Sequence, residues 1–159
     1  MTRIGIILGS TRPNRNGEQV AKWVYEIAAR RSDAEFELVD LRDYPLPHLD
    51  EPLSPMLGQY QNEHTRQWAD KIDSFDGFVS YGGVGGARAA EHLRLVVGEL
   101  QMADVRQQVA LSLLTEFENF SVFKPSDYNK AALNTLLDQV IAWSTALAHL
   151  RQPAAVAAS

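Results

Sequence analysis

The architecture of this chain is set by one early segment, Ile4-Gly5-Ile6-Ile7-Leu8-Gly9-Ser10-Thr11-Arg12-Pro13-Asn14-Arg15-Asn16-Gly17. Its first part is an unbroken apolar run, rich in β-branched residues and without polar alternation. Such a run is typical of a strand covered on both faces in a parallel sheet. Its second part is polar and contains two arginines and no acidic residue. The segment therefore predicts a buried strand that ends in a cationic loop.

A helix and a second strand follow this loop. Apolar side chains recur at helical spacing at Val20, Trp23, Val24, Ile27 and Ala28. Residues 36–41, which contain Phe36, Leu38, Val39 and Leu41, are then predicted to form a second strand. Strand, loop, helix and strand make up one βαβ unit, which is almost always right-handed.

The rest of the chain continues to alternate. Four of the seven prolines lie in residues 42–55, which predicts an extended loop. Beyond it we predict a helix over 62–74, a strand at 78–81, a helix with Ala89, Ala90, Leu93, Val96, Val97 and Leu100 on its buried side, a last strand within 105–114 and a closing helix over 127–150. This order predicts an α/β fold with a doubly wound parallel sheet.

The composition excludes several classes of protein. The 159 residues suffice for one compact domain, and with 45% hydrophobic and 22% charged residues the chain is neither fibrous nor disordered. A net charge of −5 argues against a nucleic-acid-binding surface. The chain has no cysteine, so disulfides and thiolate chemistry are excluded. We expect a single domain over 1–151, a flexible tail over 152–159, no membrane segment and a cytoplasmic location.

Two loops are predicted to follow strands at the edge where doubly wound sheets bind ligands. In the first, residues 9–17, the hydroxyls of Ser10 and Thr11, the charges of Arg12 and Arg15 and the start of the next helix suit a phosphate group. The alternative is a solvated loop whose polar residues cap the helix. The loop matches neither a P-loop nor Gly-x-Gly-x-x-Gly, so a mononucleotide phosphate fits best.

The second loop is Tyr81-Gly82-Gly83-Val84-Gly85-Gly86, with Arg88 just inside the following helix. Its glycines expose backbone groups against which a planar heterocycle can lie. The alternative is a tight turn from strand to helix that needs several left-handed residues. The number of glycines exceeds what one turn requires and favours contact with a ligand.

No catalytic or metal-binding side chains are predicted. The four histidines lack metal-ligand spacing, and no Gly-x-Ser-x-Gly motif provides a nucleophile. Trp68 and Trp143 are expected in the core. Phe117, Phe120 and Phe123 lie in a predicted loop and suit a core, a ligand lid or a subunit interface, of which the interface is favoured.

Taken in this order, the two loops resemble those of the NADPH-dependent FMN reductases, a flavodoxin-like family, and the likeness covers most of the chain. By this resemblance the first loop binds the FMN phosphate and the second lies at the edge of the isoalloxazine ring. The implied FMN-binding residues are Ser10, Thr11, Arg12, Arg15, Asn16, Gly17, Tyr81, Gly82, Gly83, Val84, Gly85, Gly86 and Arg88. The resemblance also implies NADPH as hydride donor and a homodimer or homotetramer.

One part of the family pattern is missing. Asp76-Gly77-Phe78-Val79, which resembles the start of the family's third strand, runs directly into Ser80-Tyr81-Gly82-Gly83, which resembles the end of its fourth. The deficit is about 30 residues, one βα unit, and includes a Pro-Glu-Tyr-Asn flavin loop. We therefore expect a flavodoxin-like doubly wound sheet shortened to about four strands, with part of one face uncovered.

Two functions follow from these observations. The first is an oxidoreductase that passes hydride from NADPH through bound FMN to a quinone, azo or flavin acceptor, without need of a catalytic side chain. The second is a non-catalytic flavodoxin-like protein that oligomerises through the uncovered face and has lost flavin binding by an internal deletion. An electron-carrying flavodoxin is a third alternative. The expected partners are a small-molecule acceptor and a second copy of the chain, and neither nucleic acid nor a membrane.

Overall fold

The structure is a computed structural model that describes residues 1–80 and 87–151. Its elements are β1 (Arg3–Leu8), α1 (Gly17–Ala28), β2 (Glu35–Asp40), α2 (Glu63–Asp73), β3 (Gly77–Ser80), α3 (Ala87–Glu99), β4 (Phe117–Glu118), β5 (Val122–Phe123) and α4 (Asp127–Ala146), with 3-10 turns at Leu41–Asp43, Pro55–Leu57 and Ala148–Leu150. Within these ranges no helix is long and apolar enough to cross a membrane. The tail predicted at 152–159 lies outside the described residues.

The main sheet has three parallel strands in the order β2-β1-β3. β1 is central and pairs with β2 along its whole length, with Leu8 opposite Asp40. Its other edge pairs with β3, where Ile7 lies opposite Ser80. The carboxyl ends of the three strands therefore lie at the same end of the sheet. Parallel strands alternating with helices confirm the predicted α/β class.

The core lies between β1 and the helices α1 and α4. Ile4 and Ile6 of β1 are fully buried and belong to one cluster with Val20, Val24, Leu133 and Leu137. Gly5, between them, faces the opposite side, where an added Cβ atom would lie 3.2 Å from the rings of Phe75 and Phe78. β1 is thus covered on both faces, as its unbroken apolar sequence predicts.

The prediction of a last strand within residues 105–114 is wrong. This segment has no regular secondary structure, although Val105, Val109 and Leu111 pack against the core. Paired strands lie about 4.8 Å apart, whereas a cavity of about 1200 Å³ lies between this segment and β3. The apolar side chains of this segment are therefore partly buried by packing against the core, although the segment does not pair with a strand. The described part of the main sheet has three strands, rather than about four.

Helix α3 forms where the sequence predicts it, but most of its predicted buried side is exposed. Leu93, Val96 and Leu100 are 43%, 54% and 63% exposed, and Ala89 is also exposed. Trp143, expected in the core, is 50% exposed. Among the described residues no fourth strand lies beside β3, and this helix borders the cavity.

The phenylalanine segment, predicted as a loop, contains the antiparallel pair β4–β5. The ring of Phe123 packs edge-on against Trp23, with 5.4 Å between centroids, and against Phe117 at 4.9 Å. Both phenylalanines therefore pack on the core of their own chain, which agrees with the core alternative for these two residues. Phe120, in the turn, is 61% exposed.

Candidate functional site

The first predicted ligand loop leaves the carboxyl end of β1 and enters α1. Residues 9–14 are exposed. A Cβ atom added at Gly9 would meet nothing within 4 Å, so this side of the loop is open. Asn14 has a φ of 53°, a left-handed conformation that asparagine tolerates better than most residues. The chain can therefore turn into the helix within the loop.

The amino terminus of α1 faces this loop and has no side-chain cap. Asn16 occupies the N-cap position, but its side chain makes no capping hydrogen bond. Of the alternative reading of a solvated loop that caps the helix, the exposed loop is present and the cap by the Asn16 side chain is not. The exposed side chains of Ser10, Thr11 and Arg12 lie in the same loop. Within the described residues Arg12 has no acidic partner, so its charge is available to an anion beside the positive end of the helix dipole.

Arg15 has a different role from Arg12. Its side chain is only 4% exposed, and its guanidinium forms a two-pronged ion pair with Asp40, with Nη1 donating to Oδ1 at 2.8 Å. The same Nη1 donates to the Ser10 carbonyl at 2.6 Å. The hydrogen bonds from Arg15 hold the pKa of the Asp40 carboxyl below its usual range, against the opposing effect of burial. The charge of Arg15 is therefore balanced within the protein.

Arg42, a residue that the sequence did not single out, also holds the loop. It follows β2 at the same sheet edge, and its backbone N–H donates to Asp40 Oδ1 at 2.9 Å. Its guanidinium donates to the Thr11 carbonyl at 3.4 Å and to the Arg12 carbonyl. The available signal was positional: residues directly after β2 must lie beside those directly after β1, because the two strands are parallel neighbours.

The β4–β5 turn holds the other side of the loop. Asn16 Nδ2 donates to the Phe120 carbonyl at 2.7 Å, and Gln19 Nε2 donates to the Ser121 carbonyl at 2.7 Å. Gln19 Oε1 accepts from the Phe123 N–H at 3.0 Å. Asn16, predicted to bind phosphate, thus ties the loop to the turn, and no sequence signal connected these distant segments.

Of the remaining predicted site residues, Gly17 begins α1 and Arg88 is exposed in the first turn of α3. The predicted ring-contact loop, Tyr81, Gly82, Gly83, Val84, Gly85 and Gly86, lies outside the described residues. The structure therefore brings together Ser10, Thr11, Arg12, Arg15, Asn16 and Gly17. It does not describe the placement of the second loop relative to them.

A second polar group lies beyond β2. His64 Nε2 is 3.0 Å from Asp50 Oδ1, and His64 lines a cavity of about 390 Å³ with Tyr44 and Glu63. The hydrogen bond with His64 lowers the pKa of Asp50. Among the described residues no group of three or more His, Asp or Glu side chains is arranged for a metal ion.

Two known proteins are similar to this chain in sequence. The chain shares 34% identity over 146 residues with an NAD(P)H-dependent FMN reductase of Schizosaccharomyces pombe, covering 70% of this chain and 73% of that protein. It shares 34% over 85 residues with an NAD(P)H-dependent FMN reductase of a Nectria species, covering 50% of this chain and 42% of that protein.

A solved structure has the same fold. FerB, a flavoenzyme NAD(P)H:(acceptor) oxidoreductase from Paracoccus denitrificans, superimposes with a TM-score of 0.63 at 13% identity, covering 92% of this chain and 98% of that one. The sequence model of the NADPH-dependent FMN reductases matches residues 2–80, which contain the phosphate-type loop, its helix and all three strands of the described sheet. The chain belongs to the NADPH-dependent FMN reductase family of oxidoreductases.

Proposed function

We propose that this chain is an FMN-dependent oxidoreductase that takes hydride from NADPH and delivers it to a quinone, azo or flavin acceptor. The observation that carries this proposal is the exposed Ser10-Thr11-Arg12 segment in front of the amino terminus of α1. In a member of this family, that segment is the place for the phosphate of FMN.

The described residues fit the phosphate end of FMN. Arg12 supplies a cation without an acidic partner among the described residues, and Ser10 and Thr11 supply hydroxyl donors. The α1 dipole adds partial positive charge at the same place. Glu18 in the first turn opposes an anion, but it is paired with Lys22 at 2.9 Å. For the ring, we propose contacts from Tyr81–Gly86 and Arg88.

The protein residues bind and orient in this proposal, and none of them needs to act as an acid or base. FMN, when bound, supplies the hydride relay between the nicotinamide and the acceptor. Arg12, Ser10 and Thr11 fix one end of the cofactor, which leaves the opposite end to be aligned by the second loop. NADPH is proposed over NADH because the family model that matches the chain is NADPH-dependent.

The first test is a titration of the purified protein with FMN, followed by flavin fluorescence. We expect saturable binding in the wild type and about 10–100-fold weaker binding in Arg12→Ala, since a charged hydrogen-bond donor to phosphate is lost. Arg30→Ala is the matched control, because it removes the same charge at the far end of α1. Equal affinity of the Arg12 variant and the wild type would contradict the phosphate assignment.

The second test identifies the nicotinamide donor and the acceptor class. Oxidation of NADPH and NADH is measured at 340 nm with a soluble quinone, an azo dye and free FMN in parallel. We expect NADPH to give the higher kcat/KM. A preference for NADH would overturn the donor assignment, and turnover with none of the three acceptors would overturn the acceptor class.

We also propose that the protein is a homodimer or homotetramer, because apolar side chains along α3 are exposed. Leu93 and Val96 lie on one side of this helix, Leu100 directly follows it, and each of the three is at least 43% exposed. Monomeric proteins rarely leave a contiguous apolar patch of this kind in water. We expect Val96→Glu to dissociate the oligomer in sedimentation velocity, whereas Tyr128→Glu, at an 81% exposed position on α4, leaves it intact.

The internal deletion is part of this proposal. It is supported by the sequence, in which Gly77-Phe78-Val79 runs directly into Ser80-Tyr81-Gly82-Gly83, and by the match to the family model, which ends at residue 80. The cavity beside β3 lies where a further βα unit would extend the sheet. If the folded protein binds no FMN, the non-catalytic, oligomerising alternative replaces the enzyme.

A further inference from the structure

Residues 9–17, the first predicted ligand loop, are here called the candidate phosphate loop. Three of its carbonyl groups are turned toward the end of β2. The Ser10 carbonyl accepts from Arg15, and the Thr11 and Arg12 carbonyls accept from Arg42. Asp40, the last residue of β2, connects these two arginines through its ion pair with Arg15 and its hydrogen bond from the Arg42 N–H. We call Asp40, Arg15 and Arg42 the loop clamp.

We propose that the loop clamp holds the backbone of residues 10–12 in the conformation that binds phosphate, so that Asp40, Arg15 and Arg42 are positioning residues rather than contacts of the ligand. This inference rests on the proposed function, since the ligand it concerns is the phosphate of FMN. It assigns a role to two residues, Asp40 and Arg42, outside the predicted loop.

The geometry of the peptide bond gives the physical reason. No peptide bond in the described chain is cis, and in a trans peptide the carbonyl and the next N–H point in opposite directions. Because the Ser10 and Thr11 carbonyls point into the clamp, the N–H groups of Thr11 and Arg12 point away from it. Two backbone donors therefore face away from the clamp, where they can serve an anion. The third peptide adds no donor, because Pro13 has no N–H.

The clamp also removes unfavourable charge from the ligand side. Carbonyl oxygens turned toward a phosphate repel it, and here all three are bonded to guanidinium groups on the opposite side. Asp40 balances Arg15, which is 4% exposed and is held by two prongs, a geometry that lysine cannot reproduce. The ligand-facing charge is left to Arg12, whose side chain is exposed.

The test compares FMN with riboflavin, which lacks the phosphate. We expect Asp40→Asn and Arg42→Met to weaken FMN binding about 10–100-fold, since each breaks charged hydrogen bonds that shape the loop, and to leave riboflavin binding unchanged. General loss of structure would weaken both flavins equally. Asp43→Asn is the matched control for Asp40, because it makes the same change at an exposed position three residues later.

A double-mutant cycle separates positioning from direct contact. If Arg15 acts through Asp40, then Arg15→Met, Asp40→Asn and the double variant lose the same FMN-over-riboflavin preference, because all three break one unit. If Arg15 instead contacts phosphate, Arg15→Met loses the preference while Asp40→Asn keeps or increases it. The second pattern overturns the inference.

A readout without flavin keeps the inference independent of the proposed function. Trypsin cleavage after Arg15 is followed by mass spectrometry in the apoprotein, with cleavage after the exposed Arg30 as internal reference. We expect Asp40→Asn to accelerate cleavage after Arg15 at least tenfold relative to Arg30, since the buried ion pair no longer holds the loop. Unchanged cleavage overturns the clamp. Failure of the wild type to bind FMN, with the expected cleavage pattern, overturns the proposed function and leaves the clamp supported as a structural device.

Discussion

The two sides of the sheet differ in how completely they are covered. On the closed side, formed by β1, β2, α1 and α4, the core side chains are almost entirely removed from water. On the open side are α3, residues 105–111 and the edge of β3 that has no partner strand among the described residues, and a cavity of about 1200 Å³ lies between these elements. The same hydrophobic pattern thus gives a packed core on one side and an exposed stripe on the other.

The difference teaches that an apolar pattern predicts burial only where a partner element exists. Val20 and Val24 of α1 find β1 and α4 opposite them and are buried. Leu93 and Val96 of α3 have equivalent spacing, but the described chain offers no strand beyond β3 to receive them. The match to the family model ends at residue 80, the last residue of β3, and so includes none of α3.

The strongest test of this comparison truncates one leucine on each side. Leu137 is 0% exposed in α4, and Leu95 is 77% exposed in α3. We expect Leu137→Ala to lower the free energy of unfolding by about 2–5 kcal/mol through cavity formation, and Leu95→Ala to change it by less than about 0.5 kcal/mol. Urea denaturation followed by circular dichroism measures both, and similar losses would remove the distinction between the two sides.

A buried carboxylate supports the closed side where α4 begins. Glu116 is 5% exposed, and its Oε2 accepts from the Ser126 N–H at 2.7 Å. Burial alone raises a carboxyl pKa, but hydrogen bonds from Ser126, Asn129 and Thr115 outweigh it and lower the pKa of Glu116. We expect Glu116→Gln to cost about 1.5–3 kcal/mol at neutral pH, since a charged hydrogen-bond acceptor is lost.

The same residue predicts a pH dependence. Because the pKa of Glu116 is lower in the folded than in the unfolded protein, its stabilisation is present above the ordinary pKa of 4.5 and is lost as the pH falls through the lowered folded value. The difference in unfolding free energy between wild type and Glu116→Gln should therefore shrink below about pH 4.5. A difference that stays constant from pH 7 to pH 3 would rule out this linkage.

Replacing two different glycines by alanine is expected to change the stability of the protein in opposite directions. A Cβ atom at Gly77 in β3 would lie 2.3 Å from Ser144 Oγ of α4, whereas one at Gly98 in α3 would meet nothing within 4 Å. We expect Gly77→Ala to destabilise by about 1–3 kcal/mol through overpacking and Gly98→Ala to stabilise by up to about 1 kcal/mol through helix propensity. Thermal unfolding midpoints should shift in opposite directions.

The smallest effect is expected for a surface ion pair. Arg31 bonds both Asp33 and Asp138, and the side chain of Asp138 is 65% exposed. Asp138→Asn should cost about 0.2–1 kcal/mol, because water screens such pairs, and the cost should vanish at 1 M salt. A cost that is independent of salt would point to a packing role for this side chain.

The closed side and the position of the loop could be predicted from the sequence, because local patterns determine both. The unbroken run from Ile4 to Leu8, the spacing of Val20 and Val24 and the polar segment between them are sufficient for the βαβ unit. The predictions of a strand within 105–114 and of a buried side on α3 were wrong. Both depend on a neighbouring strand, which the described part of this chain does not provide.

Within the site, the residue types were predictable and their individual roles were not. Arg12 and Arg15 look equivalent in the sequence, yet one is exposed and the other is paired with Asp40, 25 positions later. Asn16 reads as a ligand contact or a helix cap, yet its amide donates to Phe120. Such assignments depend on which distant backbone groups need a partner, and local spacing does not contain that information.

The link between the candidate phosphate loop and the β4–β5 turn has a consequence for synthesis of the chain. The contacts of Asn16 with Phe120 and of Gln19 with Ser121 join residues separated by 104 and 102 positions. At translation rates of about 5–20 residues per second, the loop leaves the ribosome roughly 5–20 s before its partners do. The β1–α1–β2 unit can form early from near neighbours in sequence, whereas the finished loop is among the last, high-contact-order features to form. A nascent chain stalled before residue 120 should therefore contain the first βαβ unit without a fully tethered loop.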